Sequence, residues 1–233
     1  MSSCRSRSSS ARQASERATT SFRAGPTAAN FSLPIVRLQT IDTRPAPGGG
    51  SVSACAGALG AGLVSMVCNL TIGKEKFAAV EPALKDVVTR SEACRAELER
   101  LLQDDTTAYN GVIEGYRMPK DSAEQQAARG AHIQAALKVA ANVPLEITRV
   151  ARDVCRLAKT AAELGNPAAV TDGAIGAILG ESAAQGAALN VLINLGSIKD
   201  EAYVAACRTE LAVLLDEAVR LRAEVMAITL EKL

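Results

Sequence analysis

Residues 45–73 carry no charge at all, and residues 173–198 carry only Glu181. Segments this long without charge must be hidden, in a bilayer or inside protein, because a helix that is apolar all round has no face to offer water. The composition of the first segment favours protein. It opens with Pro45-Ala46-Pro47-Gly48-Gly49-Gly50-Ser51, which reads as a loop. The residues that follow, 52–72, are dominated by Ala, Gly, Ser and Cys, with Asn69 among them. Two buried helices are expected, and no membrane partner.

Three further segments repeat apolar residues in alternating steps of four and three, the spacing of a coiled-coil seam. The first runs through Val80, Leu84, Val87, Ser91, Cys94, Leu98, Leu101, Asp105, Ala108 and Val112, and ends near Tyr116 and Pro119. Pro82 moves its start. The second runs from Ile133 through Ala140, Ile147, Val154 and Ala161 to Leu164. Ser122 and Gln125 form a capping box before it, Pro144 bends it, and Gly165 stops it. The third runs from Val204 through Leu211, Ala218 and Val225 to Ile228. Thr171 or Asp172 caps the uncharged helix between the last two. There is no strand pattern. The fold class is therefore all-α: a bundle of about five long helices, two of them nearly uncharged and buried. Three seams do not cover two apolar helices on every side, so a homodimer is expected.

The net charge of +1 is unevenly spread, since residues 1–44 hold seven arginines against two acids. The rest is mildly acidic, which argues against nucleic acid as a partner, because phosphate neutralisation needs a basic face. Residues 1–30, rich in Ser, Arg and Ala, lack the apolar stretch of a secretory signal and cannot bury enough surface to order themselves. We read 1–40 as a solvated tail, with an organellar transit peptide or a misassigned start as alternatives, and 41–233 as the helical domain. The six cysteines form no Cys-x-x-Cys pair and suit free thiols in a reducing cytoplasm. With His132 the single histidine, a zinc site or a histidine triad lacks raw material, so no metal is expected.

Function should lie where the pattern breaks. Asp105 occupies a seam position between Leu101 and Ala108, whereas Asp104 falls off the seam and reads as surface. A half-buried carboxylate needs a partner or changes its acidity, so Asp105 is either a general base or acid or a structural group bonded to a neighbouring helix. Ser182, Gly186, Asn190 and Asn194 recur every fourth residue. Their amides can offer donor and acceptor to a flat heterocycle, with Gly186 leaving room, or else hydrogen-bond between helices. Ser65 and Asn69 form a shorter stripe, with Lys74 one turn beyond. The run Gly48-Gly49-Gly50 feeds a helix N-terminus, where free N–H groups attract anions; a flexible loop is the plainer reading. No Gly-Lys-Ser/Thr follows it, and Gly57, Gly60 and Gly62 have the wrong order for a dinucleotide fingerprint. His132 reads as a surface or boundary residue.

These residues resemble the cyclodeaminase/cyclohydrolase family. The likeness rests on Pro45 to Ser51 as quoted above and on Ser65-Met66-Val67-Cys68-Asn69-Leu70-Thr71-Ile72-Gly73-Lys74. It also rests on Asp105-Thr106-Thr107-Ala108-Tyr109, Tyr116-Arg117-Met118-Pro119-Lys120, Gly165-Asn166-Pro167, Thr171-Asp172 and residues 187–195. It covers about residues 40–233. The Arg/Ser-rich start departs from the short amphipathic first helix of the family. The resemblance implies an all-helical dimer with a folate cleft near its interface, tetrahydrofolate derivatives as ligands, and no cofactor beyond the folate. Residues 64–74 look most like the free-standing cyclohydrolases, which convert 5,10-methenyltetrahydrofolate to 10-formyltetrahydrofolate. Formiminotetrahydrofolate cyclodeaminase activity is the alternative, and a non-catalytic folate-binding or scaffold protein the second. Under this resemblance Asp105 acts as base and counter-charge, with Lys74 or a water handling the second proton. Asp172, Asn190 and Asn194 read the pterin edge, Asn69 and Tyr109 also contact substrate, and Gly48, Gly49, Gly50 and Ser51 hold its glutamate carboxylate.

Overall fold

A computed structural model describes residues 46–233, so the expectations for the N-terminal tail and its replacement of a first helix lie outside the described residues. The described chain forms five long helices and no strand: α1 (Gly49–Asn69), α2 (Glu81–Arg117), α3 (Ala123–Leu164), α4 (Val170–Leu195) and α5 (Glu201–Lys232). Short 3-10 turns at Glu75–Val80 and Pro167–Ala169 lead into α2 and α4. The helix starts carry two corrections. Gly49 and Gly50 are already helical, so the glycine run is the first turn of α1 rather than a loop before it. Neither Thr171 nor Asp172 caps α4; the chain enters through Asn166, whose side chain accepts from Ala168 N, and Asp172 falls inside the first turn. The Ser122–Gln125 capping box is present, and Pro82 sits at the start of α2, where a proline costs no helical hydrogen bond. Gly165 ends α3 in extended backbone, not in the left-handed form expected of a C′ glycine.

The nearly uncharged helices α1 and α4 lie antiparallel against each other. Gly49 lies beside Asn190 at one end, and Gly60 faces Gly176 and Gly180 near the middle. A Cβ on Gly60 would stand 2.8 Å from Gly176 O, so glycine is required for the backbones to meet. Helix α2 covers α1 along its seam: Leu98 is wholly buried, and its Cδ1 lies where a Cβ on Gly57 would be 3.1 Å away. Truncating it to alanine costs about 2–5 kcal/mol. Helix α3 packs on α1, α2 and α4, and α5 closes the far side against α3 and α4. Seam residues Ile133, Ala140, Ile147, Val154 and Ala161 of α3 are buried, as are Leu211, Ala218 and Val225 of α5.

Beside that core, α3 and α5 run parallel and are laced by ion pairs: Arg149 with Glu210, Arg152 and Arg156 with Glu217, and Lys159 with Glu224, each at 2.6 Å. Glu181, the one charge of α4 beyond its first turn, pairs with Arg222 of α5 at 3.3 Å. Among the described cysteines none forms a disulfide. Burial pushes the thiols of Cys68 and Cys155 up to about 12, so they act as small packing groups.

The two apolar helices are not covered on every side by the described residues. Val52 and Met66 of α1, Leu70 just past its end, and Ile175, Ile178, Leu189 and Ile193 of α4, remain exposed, Leu189 by 68% and Ile193 by 74%. Helix α1 is the one described helix long and apolar enough to cross a membrane, yet its inner face is packed by α2, α3 and α4.

Candidate functional site

The antiparallel packing of α1 on α4, with α2 alongside, opens a cleft of about 310 Å³ at the N-terminal end of α1. Gly48 and Gly49 form one wall, Asp105, Tyr109 and Val112 of α2 another, and Asn190, Ile193 and Asn194 of α4 a third. Ala140 of α3 closes the floor and Ala46 the rim. Six residues singled out in the sequence thus meet in one place, drawn from three helices. Ala46, Val112, Ala140 and Ile193 were not anticipated. All four are apolar, and Val112, Ala140 and Ile193 continue the pattern of their helices, so no polar break in the sequence marked them.

Asp105 is held from two directions. Ser51 Oγ, buried in α1, donates to Asp105 Oδ2 at 2.8 Å. The same hydroxyl lies 3.4 Å from Thr106 Oγ1. On the other side the carboxylate rests on the first turn of α1, so close to Gly50 that a Cβ there would overlap Oδ1 and stand 2.7 Å from Cγ. Gly50 and Ser51 therefore serve the carboxylate directly. The glycine turn, expected to receive a ligand anion, is already faced by a protein anion, which the partial positive charge of the helix start favours. The structural reading of Asp105 holds as far as this bond goes. It does not exhaust the residue, because Asp105 also lines the cleft and none of the described cleft residues is basic. Its neighbour Asp104 points elsewhere and pairs with Arg100.

The two asparagines present less than their chemistry allows. Asn194 Nδ2 donates to Ala140 O at 2.8 Å and to Asn190 O at 2.9 Å. Asn190 Nδ2 donates to Gly186 O at 2.9 Å. Asn194 thus has both N–H groups engaged and keeps its Oδ1, whereas Asn190 keeps its Oδ1 and one N–H. Gly186 does not make room for a ligand; it makes room for Ser53 of α1, whose Oγ a Cβ would overlap. Ser182 is exposed.

Lys74, Asn69 and Asp172 are not at this cleft. Asn69 ends α1, 21 residues long, so it and Lys74 lie about 30 Å from Gly49 at 1.5 Å per residue. Asp172 opens α4, about 27 Å from Asn190 on the same rise. Near them Thr71 Oγ1 accepts from Asn166 N at 2.9 Å, tying the α1 and α4 turns together. The expectation that Lys74 shares a site with Asp105, and that Asp172 reads the same edge as the asparagines, fails within one chain. Both follow from helix length, since α1 and α4 carry their polar residues at both tips.

A larger groove, about 410 Å³, runs between α2 and α3 on the outer face, lined by Ala136, Val139 and Val143 with Asp104, Glu114 and His132 around it. His132 is exposed there, as expected. Among the described residues no group of three or more His, Cys, Asp or Glu side chains gathers in metal-binding proximity.

Residues 38–213 match the sequence profile of the formiminotransferase-cyclodeaminase family. The methenyltetrahydrofolate cyclohydrolase of Methylorubrum extorquens is 45% identical over 174 residues, spanning 75% of this chain and 84% of that protein. The formimidoyltransferase-cyclodeaminase of Sus scrofa is 34% identical over 173 residues, 74% of this chain but 32% of the longer protein. Among solved structures, the formiminotetrahydrofolate cyclodeaminase of Thermotoga maritima superposes with a TM-score of 0.77 at 30% identity, over 86% of this chain and 96% of its own. Sequence and fold agree: the chain belongs to the formiminotransferase-cyclodeaminase family.

Proposed function

We propose that the chain is a methenyltetrahydrofolate cyclohydrolase, hydrolysing 5,10-methenyltetrahydrofolate to 10-formyltetrahydrofolate with no cofactor beyond the folate. The observation that carries this reading is a carboxylate, Asp105, fixed by Ser51 and Gly50 in a cleft lined by no described basic residue. Such a cleft suits a cationic ligand, and the amidinium of the methenyl compound is cationic. It is electrophilic already, so the reading needs no metal. The likeness to the Methylorubrum cyclohydrolase over most of both chains adds weight.

In this mechanism Asp105 takes a proton from a water as its oxygen bonds to the carbon between N5 and N10. The adduct then breaks its bond to N5, which takes up a proton as the carbonyl forms. One proton is released overall. A water handles this second transfer, because Lys74 of the same chain lies at the other end of α1. The fixed carboxylate also stabilises the substrate cation without reorganising during the reaction.

The alternative, formiminotetrahydrofolate cyclodeaminase, passes through a related tetrahedral carbon but expels ammonia; the fold of the Thermotoga cyclodeaminase favours it. A side-by-side assay with methenyl- and formiminotetrahydrofolate decides. Faster turnover of the methenyl compound is expected; faster ammonia release overturns the reading in favour of the cyclodeaminase.

The exposed row of Val52, Met66, Ile175, Ile178, Leu189 and Ile193 supports a homodimer joined through α1 and α4. Ile193 belongs both to this row and to the cleft, which would place the cleft beside the interface. Light scattering of the full chain should give twice the mass of 24.2 kDa, and Leu189→Glu with Ile178→Glu should return the monomer. Unpaired thiols on all five described cysteines support a reducing, cytoplasmic compartment.

A further inference from the structure

We propose that Thr106 positions the base from behind: its hydroxyl donates to Ser51 Oγ and holds the Ser51 proton on Asp105. The inference rests on Asp105 being the base, and it adds a residue that does not itself line the cleft. Ser51 Oγ lies within reach of three oxygens: Asp105 Oδ2 at 2.8 Å, Leu102 O at 3.3 Å and Thr106 Oγ1 at 3.4 Å. It has one proton to give. The carboxylate is the nearest of the three and the only charged one, so it takes that proton. A carbonyl and a carboxylate only accept, so Thr106 alone among the three can donate to Ser51. The chain of donation therefore runs from Thr106 to Ser51 to Asp105.

Two observations give the outer hydroxyl its weight. Among the described residues Ser51 Oγ is the one hydrogen-bond donor to Asp105, so the setting of the carboxylate depends on where a single hydroxyl points. A serine hydroxyl rotates to suit its partners, and Leu102 O offers this one a second acceptor. A bond received from Thr106 occupies a lone pair of Ser51 and polarises its O–H, which strengthens the bond to the carboxylate. The Thr106 hydroxyl is also not spent on its own helix. Thr107, Thr148 and Thr229 turn theirs back to the carbonyl four residues earlier, at 3.1, 2.9 and 2.8 Å, a common destination in helices. For Thr106 that carbonyl is Leu102 O, yet the side-chain hydroxyl that approaches it belongs to Ser51.

The test is a double-mutant cycle read as kcat for methenyltetrahydrofolate hydrolysis, over the wild type, Thr106→Val, Ser51→Ala and the double variant. Valine keeps the branched shape and removes the hydroxyl, so Thr106→Val should lose about three- to tenfold. Thr106→Ser keeps the hydroxyl and should recover most of that loss. In the Ser51→Ala background the change to valine should cost less than about twofold, because the relay is already cut. Equal losses in both backgrounds would mean that Thr106 acts by packing alone and overturn the inference. So would a Thr106→Ser variant as slow as Thr106→Val, or a Thr106→Val variant as fast as the wild type. Melting temperatures check the fold, and Thr106→Ala replaces the valine variant in the cycle should that one not fold. Asp105→Asn in the same assay separates the two readings. A loss below about tenfold there removes the base itself, whereas a larger loss with an additive cycle removes only the relay.

Discussion

The two ends of the α1–α4 pair carry similar residues and do different things. At one end Gly48, Gly49 and Gly50 meet Asp105, Asn190 and Asn194 around a cleft. At the other, Asn69 ends α1, Gly73 and Lys74 follow in the connection to α2, and Asp172 lies in the first turn of α4, with Asn69, Gly73 and Lys74 exposed. Both ends have glycines, amides and an acid. What separates them is a third helix. At the first end α2 passes close enough for a carboxylate to rest on a glycine and take a hydrogen bond from a buried serine. At the second the 3-10 turn over Glu75–Val80 carries the chain outward, and Gly73 N donates instead to Glu81 at 3.1 Å in an exposed turn. A polar cluster becomes a candidate site when a neighbouring element encloses it.

The sharpest way to break this comparison is Asp105→Asn. It keeps the shape and removes the base, so kcat for methenyltetrahydrofolate hydrolysis should fall about 10²–10⁴-fold in a stopped assay. A fall below tenfold would end the role of Asp105 as base. Next in size is Gly50→Ala. The new Cβ displaces the carboxylate by roughly its own radius, and misplacement of that order costs about 10²-fold in rate. Circular dichroism should still show a folded helical protein. Ser51→Ala removes one bond to a charged group, worth about 1.5–3 kcal/mol, so a loss of about 10–10²-fold is expected, with little change in KM.

At the far end the same kinds of change should leave the chemistry alone. Gly73 has φ of 81°, a left-handed backbone. Gly73→Ala should lower stability by about 1–2 kcal/mol in urea denaturation while the rate per folded molecule stays constant. Lys74→Ala should change the rate by no more than about twofold, as for other exposed substitutions. A tenfold loss there would mean that the lysine of a second copy enters the cleft.

Much of this architecture was legible in the residue pattern. The seam steps through α2, α3 and α5 match buried side chains such as Leu98, Ile147 and Leu211, because helical spacing and burial are tied by geometry. The capping box at Ser122 could be read because it is a local contact. Helix starts were less legible. Glycine is a poor helix former, yet Gly49 and Gly50 open α1, where a Cβ would press on Asn190 or overlap the Asp105 carboxylate. That constraint is tertiary, and no local rule contains it.

Sequence by itself determined the helical class, the two helices that must be hidden, and the oddity of one acid on an apolar seam. These follow from spacing and charge, which act along the chain. Tertiary structure alone decided that Asp105 is gripped by Ser51, that Asn194 donates across to the Ala140 carbonyl, and that Lys74 and Asp172 lie some five turns away. Hydrogen-bond direction and distance between helices are set by packing, and residues with the same local signal part company once the bundle closes.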